Sequence, residues 1–292
     1  MAKPKLGLIP AAQGTKLYSV LPSDGSGDFT FTRGSKATRI NAQGLIEIVN
    51  DNISRLDYPM IDGVQKGCPH HILEPARTNV VTYSEDFSNA SWIKANTSIS
   101  SNETISPDGT LNSDKLIVNN GSDLSSISNY VLYQLTKAAS AIQYTYSIFV
   151  KEDGLNRINI IAQGDSLSNN ASATFSVSDG LITTDAISAG SFSNASASVI
   201  NYGNDFYRLN LTFTTNTDTN LLIRNIPTDS TLSVGNGTSG IYIYGAQLEA
   251  GSFPTSYIPT NGESGGVTRS AETATGAGNS TTFNSEEGVL MA

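Results

Sequence analysis

One cysteine, Cys68, and one tryptophan, Trp92, occur in the 292 residues of this chain. A single thiol cannot close an internal disulfide, so packing and hydrogen bonds alone must hold the fold. Histidine is nearly as scarce: His70 and His71 are adjacent, and no other Cys or His exists to complete a zinc site. Only 15% of the residues are charged, and the formal net charge is −9, with the 17 basic residues scattered. A scattered minority of cations on an acidic chain excludes a phosphate backbone as partner, and so nucleic acid. Long apolar runs are missing too. No segment approaches the length of a membrane span, so membrane insertion is not expected. The opening "MAKPKLGLIPAAQGTK" has only a short apolar stretch, broken by Gly7 and Pro10, and does not read as a secretory signal.

What is present is Asn, Ser, Thr and Gly between short runs of Ile, Val, Tyr, Phe and Thr, the texture of an all-β protein. In residues 28–50, Phe29 and Phe31 alternate with threonines, and Asn41-Ala42-Gln43-Gly44 forms a turn into "LIEIV". We read this as a hairpin that, being marginal alone, packs on a sister chain or on the next domain. Residues before it read as an extended arm. In residues 67–92, Pro69 and Pro75 exclude a helix, and Glu74 and Arg77 are spaced to pair across a turn.

From residue 80 onward strand patterns follow at regular spacing: 113–118, 130–137, 144–150, 158–163, the hairpin 173–185 around Asp179-Gly180, 205–216, 220–226 and 240–249. In 205–216, Tyr207, Leu209, Leu211 and Phe213 face inward and Arg208, Asn210 and Thr212 outward. In 240–249, Ile241 and Ile243 face inward, and the Gly and Pro residues of "AGSFPTSYIPT" end the pairing, with Phe253 and Tyr257 pinning the exit. A helical turn is expected near 136–142. About eight strands with one-face-in alternation imply an antiparallel β-sandwich, a jelly roll. The division is 1–78 (arm and hairpin, for docking and oligomerisation), 79–260 (jelly roll) and 261–292 (a Gly/Ser/Thr-rich tail or linker).

Catalytic signatures are absent: no nucleophile elbow accompanies His70 or His71, and Gly235-Asn236-Gly237 precedes a strand, not a phosphate-binding helix. Among 26 acidic residues no pair stands out as a glycosidase dyad, so no catalytic residue is assigned. Sugar binding is better motivated, because saccharide rings stack on aromatic faces while polar side chains bind their hydroxyls. The candidates are Trp92, Tyr130, Tyr133, Tyr202 and Arg208, with Tyr144 and Tyr146 as further tyrosines. For Trp92 a core plug under the first strand is the competing reading, and for Arg208 a solvated surface residue.

The phrases "FTRGSKATRINAQGLIE", "RLDY", "LEPARTN", "YSEDFSNASW", "SPDGT", "YSIFVK", "FYRLNLTF", "GAQLEAGSFPTSYIPT" and "VTRSAE" occur in this order from about residue 29 to residue 272. Together they resemble head-fibre and tail-fibre virion proteins of tailed bacteriophages, whose middle region is a jelly roll like that of carbohydrate-binding modules. The resemblance implies a non-enzymatic, virion-located adhesin. Its partners would be sister chains in a homotrimer, other virion proteins (capsid, portal or tail) and a host-surface glycan. A polysaccharide depolymerase component is the alternative enzyme reading, and a head-decorating or joining protein without glycan ligand the structural one. In longer relatives a lectin-like domain follows "TR-AE", where this chain has only "FNSEEGVLMA". No cofactor is expected. Carbohydrate-binding jelly rolls often hold a structural calcium, for which Glu85, Asp86 and Asp108 are the oxygen donors to consider. In those modules an Asp often stands where this chain has Tyr244 or Gly245.

Overall fold

The computed structural model describes residues 7–13, 16–21 and 29–276, all as strands, turns and loops with no helix. The chain divides into two compact units, one formed by 60–64 and 78–267, the other by residues up to 59, 65–77 and those from 268 on.

The first of these is the sandwich. Its strands are β1 (Trp92–Ala95), β2 (Thr97–Ile105), β3 (Leu111–Val118), β4 (Tyr130–Thr136), β5 (Gln143–Asp153), β6 (Arg157–Gln163), β7 (Asn170–Ser176), β8 (Ile182–Ala189), β9 (Ser193–Gly203), β10 (Phe206–Thr214), β11 (Asn220–Thr228) and β12 (Gly240–Ala250). Sheet I runs β1-β4-β11-β6-β7-β8 and sheet II runs β2-β3-β12-β5-β10-β9, with neighbours antiparallel. Alternation by two turns Val131, Tyr133, Ile158, Ile160, Phe175, Leu221 and Ile223 of sheet I toward Leu116, Tyr146, Ile148, Leu209, Leu211, Ile241 and Ile243 of sheet II, and all are buried in one core. The jelly-roll expectation therefore holds.

Three of the twelve strands, β1, β2 and β9, escape a sequence reading. β9 reads "SNASASVINYG": its inward Ala195, Ala197 and Val199 are small and sit between serines, so the apolar alternation is faint. The helical turn expected near 136–142 does not form; the stretch is a loop between β4 and β5. There the Lys137 ammonium, instead of a helix, gathers the carbonyls of Ala138, Ser140 and Asn216.

The second unit corrects the hairpin. Phe29–Thr32 does not pair with "LIEIV"; it lies between Lys16–Leu21 and Thr273–Thr275 in a four-stranded sheet that Gly7–Gln13 completes. The hairpin itself is Ala37–Ile40 with Ile46–Val49, closed by Asn41, whose Oδ1 accepts from Gln43 N and Leu45 N, and by Gly44 at φ 79°. Composition suggested an arm before residue 28 and a linker from 261, yet strands form at 7–13, 16–21, Val267–Arg269 and Thr273–Thr275. The end of the chain, including "FNSEEGVLMA", lies outside the described residues.

Glu272 explains why a tail-like composition holds a fixed place. Its buried carboxylate accepts from Arg33 Nη1 (2.8 Å), Arg55 Nε (2.7 Å), Arg55 Nη2 (2.5 Å) and Glu74 N (2.9 Å). Glu74 in turn pairs with Arg55 and Arg269 at 2.8 Å each. Desolvating so many charges is tolerable only because nearly every lone pair has a donor.

Candidate functional site

The sandwich has two outer faces, and they differ. On sheet II the exit segment covers the face. A bulge sets this up: two steps of β5, from Ser147 to Phe149, span three steps of β12, from Gln247 to Tyr244. Gly245 takes φ 61° there, and a Cβ on it would lie 2.9 Å from the Phe149 ring. The extra residue lets Ile243 and Ala246 both face the core, and it turns Tyr244, Gln247 and Glu249 outward.

Gln247 and Glu249 then bind the backbone that the prolines keep out of any ladder. Glu249 Oε1 accepts from Thr255 N (2.8 Å), its Oε2 from Thr255 Oγ1 (2.7 Å), and Gln247 Oε1 from Ile258 N (2.7 Å). Asn79 closes the joint: its Nδ2 donates to Ala246 O and Ile258 O, and its Oδ1 accepts from Val81 N and Leu248 N. Beneath lies an aromatic cluster in which Phe149 meets Tyr202, Tyr244 and Tyr257 at centroid distances of 4.9, 5.8 and 5.9 Å.

On sheet I the register places one outward row Tyr130–Ile226–Asn159–Thr174–Thr184 and a second Leu132–Arg224–Ile161–Ser172–Ile187. Tyr130, Arg157, Asn159, Ile161, Ser172, Thr174 and Arg224 are half-buried, and Ile187 and Thr184 are exposed. The Arg224 guanidinium stacks 5.0 Å from the Tyr130 ring centroid. Two polar atoms on this face, Asn159 Oδ1 and Arg224 Nε, are buried and have no hydrogen-bond partner among the described residues. Leu132 and Ile226 are buried on this face, and around them sheet I presents a partly exposed surface with the Tyr130 ring and the Arg157 and Arg224 side chains on it.

The five expected sugar-binding residues do not converge. Trp92 is a core plug, 1% exposed, its Nε1 donating to Tyr83 O at 2.8 Å and its ring against Phe87 and Tyr133. Tyr133 is buried beside it and donates to Val80 O. Arg208 does point away from the core, as its alternation requires, but it is 2% exposed because the exit segment lies over it. Its Nη1 donates to Thr255 O, its Nη2 to Ser147 Oγ, and it stacks on Phe149. Asn210 and Thr212 share this burial. Tyr202 packs edge-on to Phe149 in the same face, which leaves Tyr130 on the open one. Of the further tyrosines, Tyr144 and Tyr146 are core. Missed were Arg224 and Asn159, although the inward Leu221 and Ile223 of "NLLIRNI" already mark Arg224 as outward.

The metal candidates separate as well. Glu85 and Asp108 are joined by the Tyr244 hydroxyl, 3.1 and 3.2 Å away, and Tyr257 OH is 3.0 Å from Glu85. Asp86 turns elsewhere, accepting from Ser88 N and Asn89 N. The phenol supplies a proton between the two carboxylates where a bridging cation would sit, and Asn112 Nδ2 donates to both. These residues do not fit a calcium ion, and among the described residues no group of three His, Cys, Asp or Glu is disposed to hold a metal. Burial pushes the Glu85 carboxyl above its ordinary value, against the tyrosine hydrogen bonds. Burial also opposes ionisation of Asp108, but bonds from Thr110, Ser106 and Asn112 outweigh it and hold that carboxyl low. Glu85 and Asp86 line a cleft of about 440 Å³ with Asn102, Asn112, Thr260 and Glu263. His70 and His71 pair with Leu56–Asp57 as a short two-stranded sheet in the other unit.

No family model and no curated protein matches the chain. Among solved structures, it is similar to the CBM22-1–GH10 modules of xylanase 10B from Clostridium thermocellum complexed with xylohexaose (14% identity, TM-score 0.36), covering 63% of this chain and 30% of that one. It is also similar to the enzymatically active domain of tailspike protein 4 of bacteriophage CBA120 (12%, TM-score 0.32), covering 59% and 21%. A sugar binding protein described from Bacteroides thetaiotaomicron (9%, TM-score 0.33) is matched over 60% of this chain and 95% of its own. The chain therefore spans less than a third of the first two structures.

Proposed function

We propose that this chain is a virion protein of a tailed phage that displays its sandwich to bind a saccharide of the host surface, with the outer face of sheet I as the site. The asymmetry of the two faces carries the saccharide part. One face is filled by the chain's own exit segment, and the other keeps a half-buried ring and two guanidinium side chains, Arg157 and Arg224. Stacking plus a few directed hydrogen bonds is the chemistry by which a sheet face holds a sugar. The virion part is supported by the ordered phrase set in the sequence. Its residues, including Asn79, Gln247, Glu249 and Glu272, serve the scaffold, which leaves the open face free to vary with the ligand. The assembly is a homotrimer, and the protein binds without cleaving.

A panel of host capsule and lipopolysaccharide saccharides tests the reading, using the full chain and its Tyr130→Ala variant. Retention of at least one saccharide by the parent and loss in the variant is expected; a parent that retains none removes the adhesin reading in favour of a purely structural role. The cleft lined by Glu85, which shares the Tyr244 hydroxyl with Asp108, a carboxylate of opposed shift, favours a second reading, a depolymerase. New reducing ends on incubation with capsule, lost in Glu85→Gln, would establish it.

A further inference from the structure

β4, β6, β7 and β11, the four inner strands of sheet I, contain no Asp or Glu at all. Their only charged residues are Arg157 and Arg224, in a chain whose formal net charge is −9. Both belong to the outward set, since the alternate residues Ile158, Ile160, Leu221 and Ile223 are core. The other described arginines are engaged: Arg33, Arg55 and Arg269 with Glu272 or Glu74, Arg39 with Glu47, Arg77 with a carbonyl, Arg208 with Ser147 and Thr255. The side chains of Arg157 and Arg224 have neither a hydrogen bond nor an ion pair among the described residues.

Such a pair costs electrostatic freedom without stabilising the fold, and its geometry is that of an anion receiver. Stacking on Tyr130 fixes the plane of the Arg224 guanidinium, and a fixed fork matches a carboxylate through two parallel N–H···O bonds. Asn159, half-buried, lies between the two arginines in the register, so no charged side chain of the strand stands between them. Arg157 stands four residues from Ile161, the register partner of Arg224, which at strand rise is roughly 13 Å along the sheet. An extended saccharide with more than one acid group reaches both.

We infer that the ligand of this face is an acidic saccharide bearing carboxylates, held by Arg224 and Arg157. This rests on the proposal that sheet I is the glycan face. The test is a saccharide array carrying uronate and sialate polymers, their methyl-esterified counterparts, sulfated dextran and neutral glucans, probed with the full chain, Arg224→Gln, Arg157→Gln and, as a control on the other sheet, Lys115→Gln. The expected result is retention of carboxylate-bearing members, loss on esterification, and about 10- to 100-fold weaker binding for Arg224→Gln with an unchanged melting temperature. Lys115→Gln should bind as the parent does. Retention of neutral glucans that depends on Tyr130 but not on Arg224 overturns the acidic ligand and leaves the glycan face standing. Equal retention of sulfated dextran and uronates reduces the inference to unspecific anion attraction and overturns it as well. No retention of any member removes the glycan face, and the acidic ligand with it.

Discussion

Sheets I and II have six strands each and share one core, yet the arginines on their outer faces live in different surroundings. Arg208 of sheet II lies under residues 251–260, its guanidinium between Phe149, Ser147 and Thr255. The Arg224 side chain of sheet I stacks on one tyrosine and has no hydrogen bond among the described residues. Each occupies an outward position of an alternating strand. What separates them is ten residues of chain that leave β12 and fold back over sheet II, held by Gln247, Glu249 and Asn79. A face used by the chain itself contributes stability; a face left to water is available for recognition.

The largest effect should come from the joint that closes sheet II. Glu249→Ala leaves the donors of Thr255 and Gln247 without their acceptor in a buried site, and urea titration should read a loss of about 3 kcal/mol or more. A loss below about 1 kcal/mol would mean that the exit segment is not what seals the face. Next, Arg208→Gln should cost about 2 kcal/mol, since it leaves Thr255 O and Ser147 Oγ short of a buried donor.

How much of this was legible beforehand depends on what each residue meets far along the chain. Alternation was enough for Ile241, Ile243, Leu209 and Leu211, because period two decides which side faces the core. It could not decide what covers the other side. Arg208 and Arg224 look alike locally, and the difference lies in contacts with residues tens of positions away. For the same reason Glu272 lies in a stretch of linker composition although two distant arginine side chains and the Glu74 backbone N–H fix it. The rule that Pro254 and Pro259 end strand pairing was correct, and the exit was read as pinned by Phe253 and Tyr257. Tyr257 is indeed buried against Phe149 and Tyr244, while Phe253 is exposed.

A smaller effect sharpens the picture at the rim of the sealed face, where Glu85 and Asp108 share Tyr244. Asp108 has a lowered folded value, so its ionised form favours folding above the ordinary carboxylate range, and that contribution fades as pH falls through the lowered value. Asp108→Asn should therefore be less stable than the parent at neutral pH, with the gap closing in acid. Glu85 has the opposite sign: its raised folded value favours folding at low pH and is lost as pH rises through it, so Glu85→Gln should gain relative to the parent on going from acid to neutral pH. Thermal melts across pH check both; parallel curves for all three proteins would contradict the assignment.

The smallest stability effects belong to sheet I. Tyr130→Ala should shift stability by no more than about 0.5 kcal/mol, since its ring is half-buried on the outer face and lies outside the core.

The most direct test sets the two arginines side by side. Arg208→Gln and Arg224→Gln are measured in one series for melting temperature and for affinity to the saccharide that the parent retains. Arg208→Gln should melt lower and bind as the parent does at temperatures where it is folded, while Arg224→Gln should melt with the parent and bind at least about ten-fold more weakly. The reverse pattern, with binding lost at Arg208 and kept at Arg224, would contradict the assignment of one face to the fold and the other to recognition.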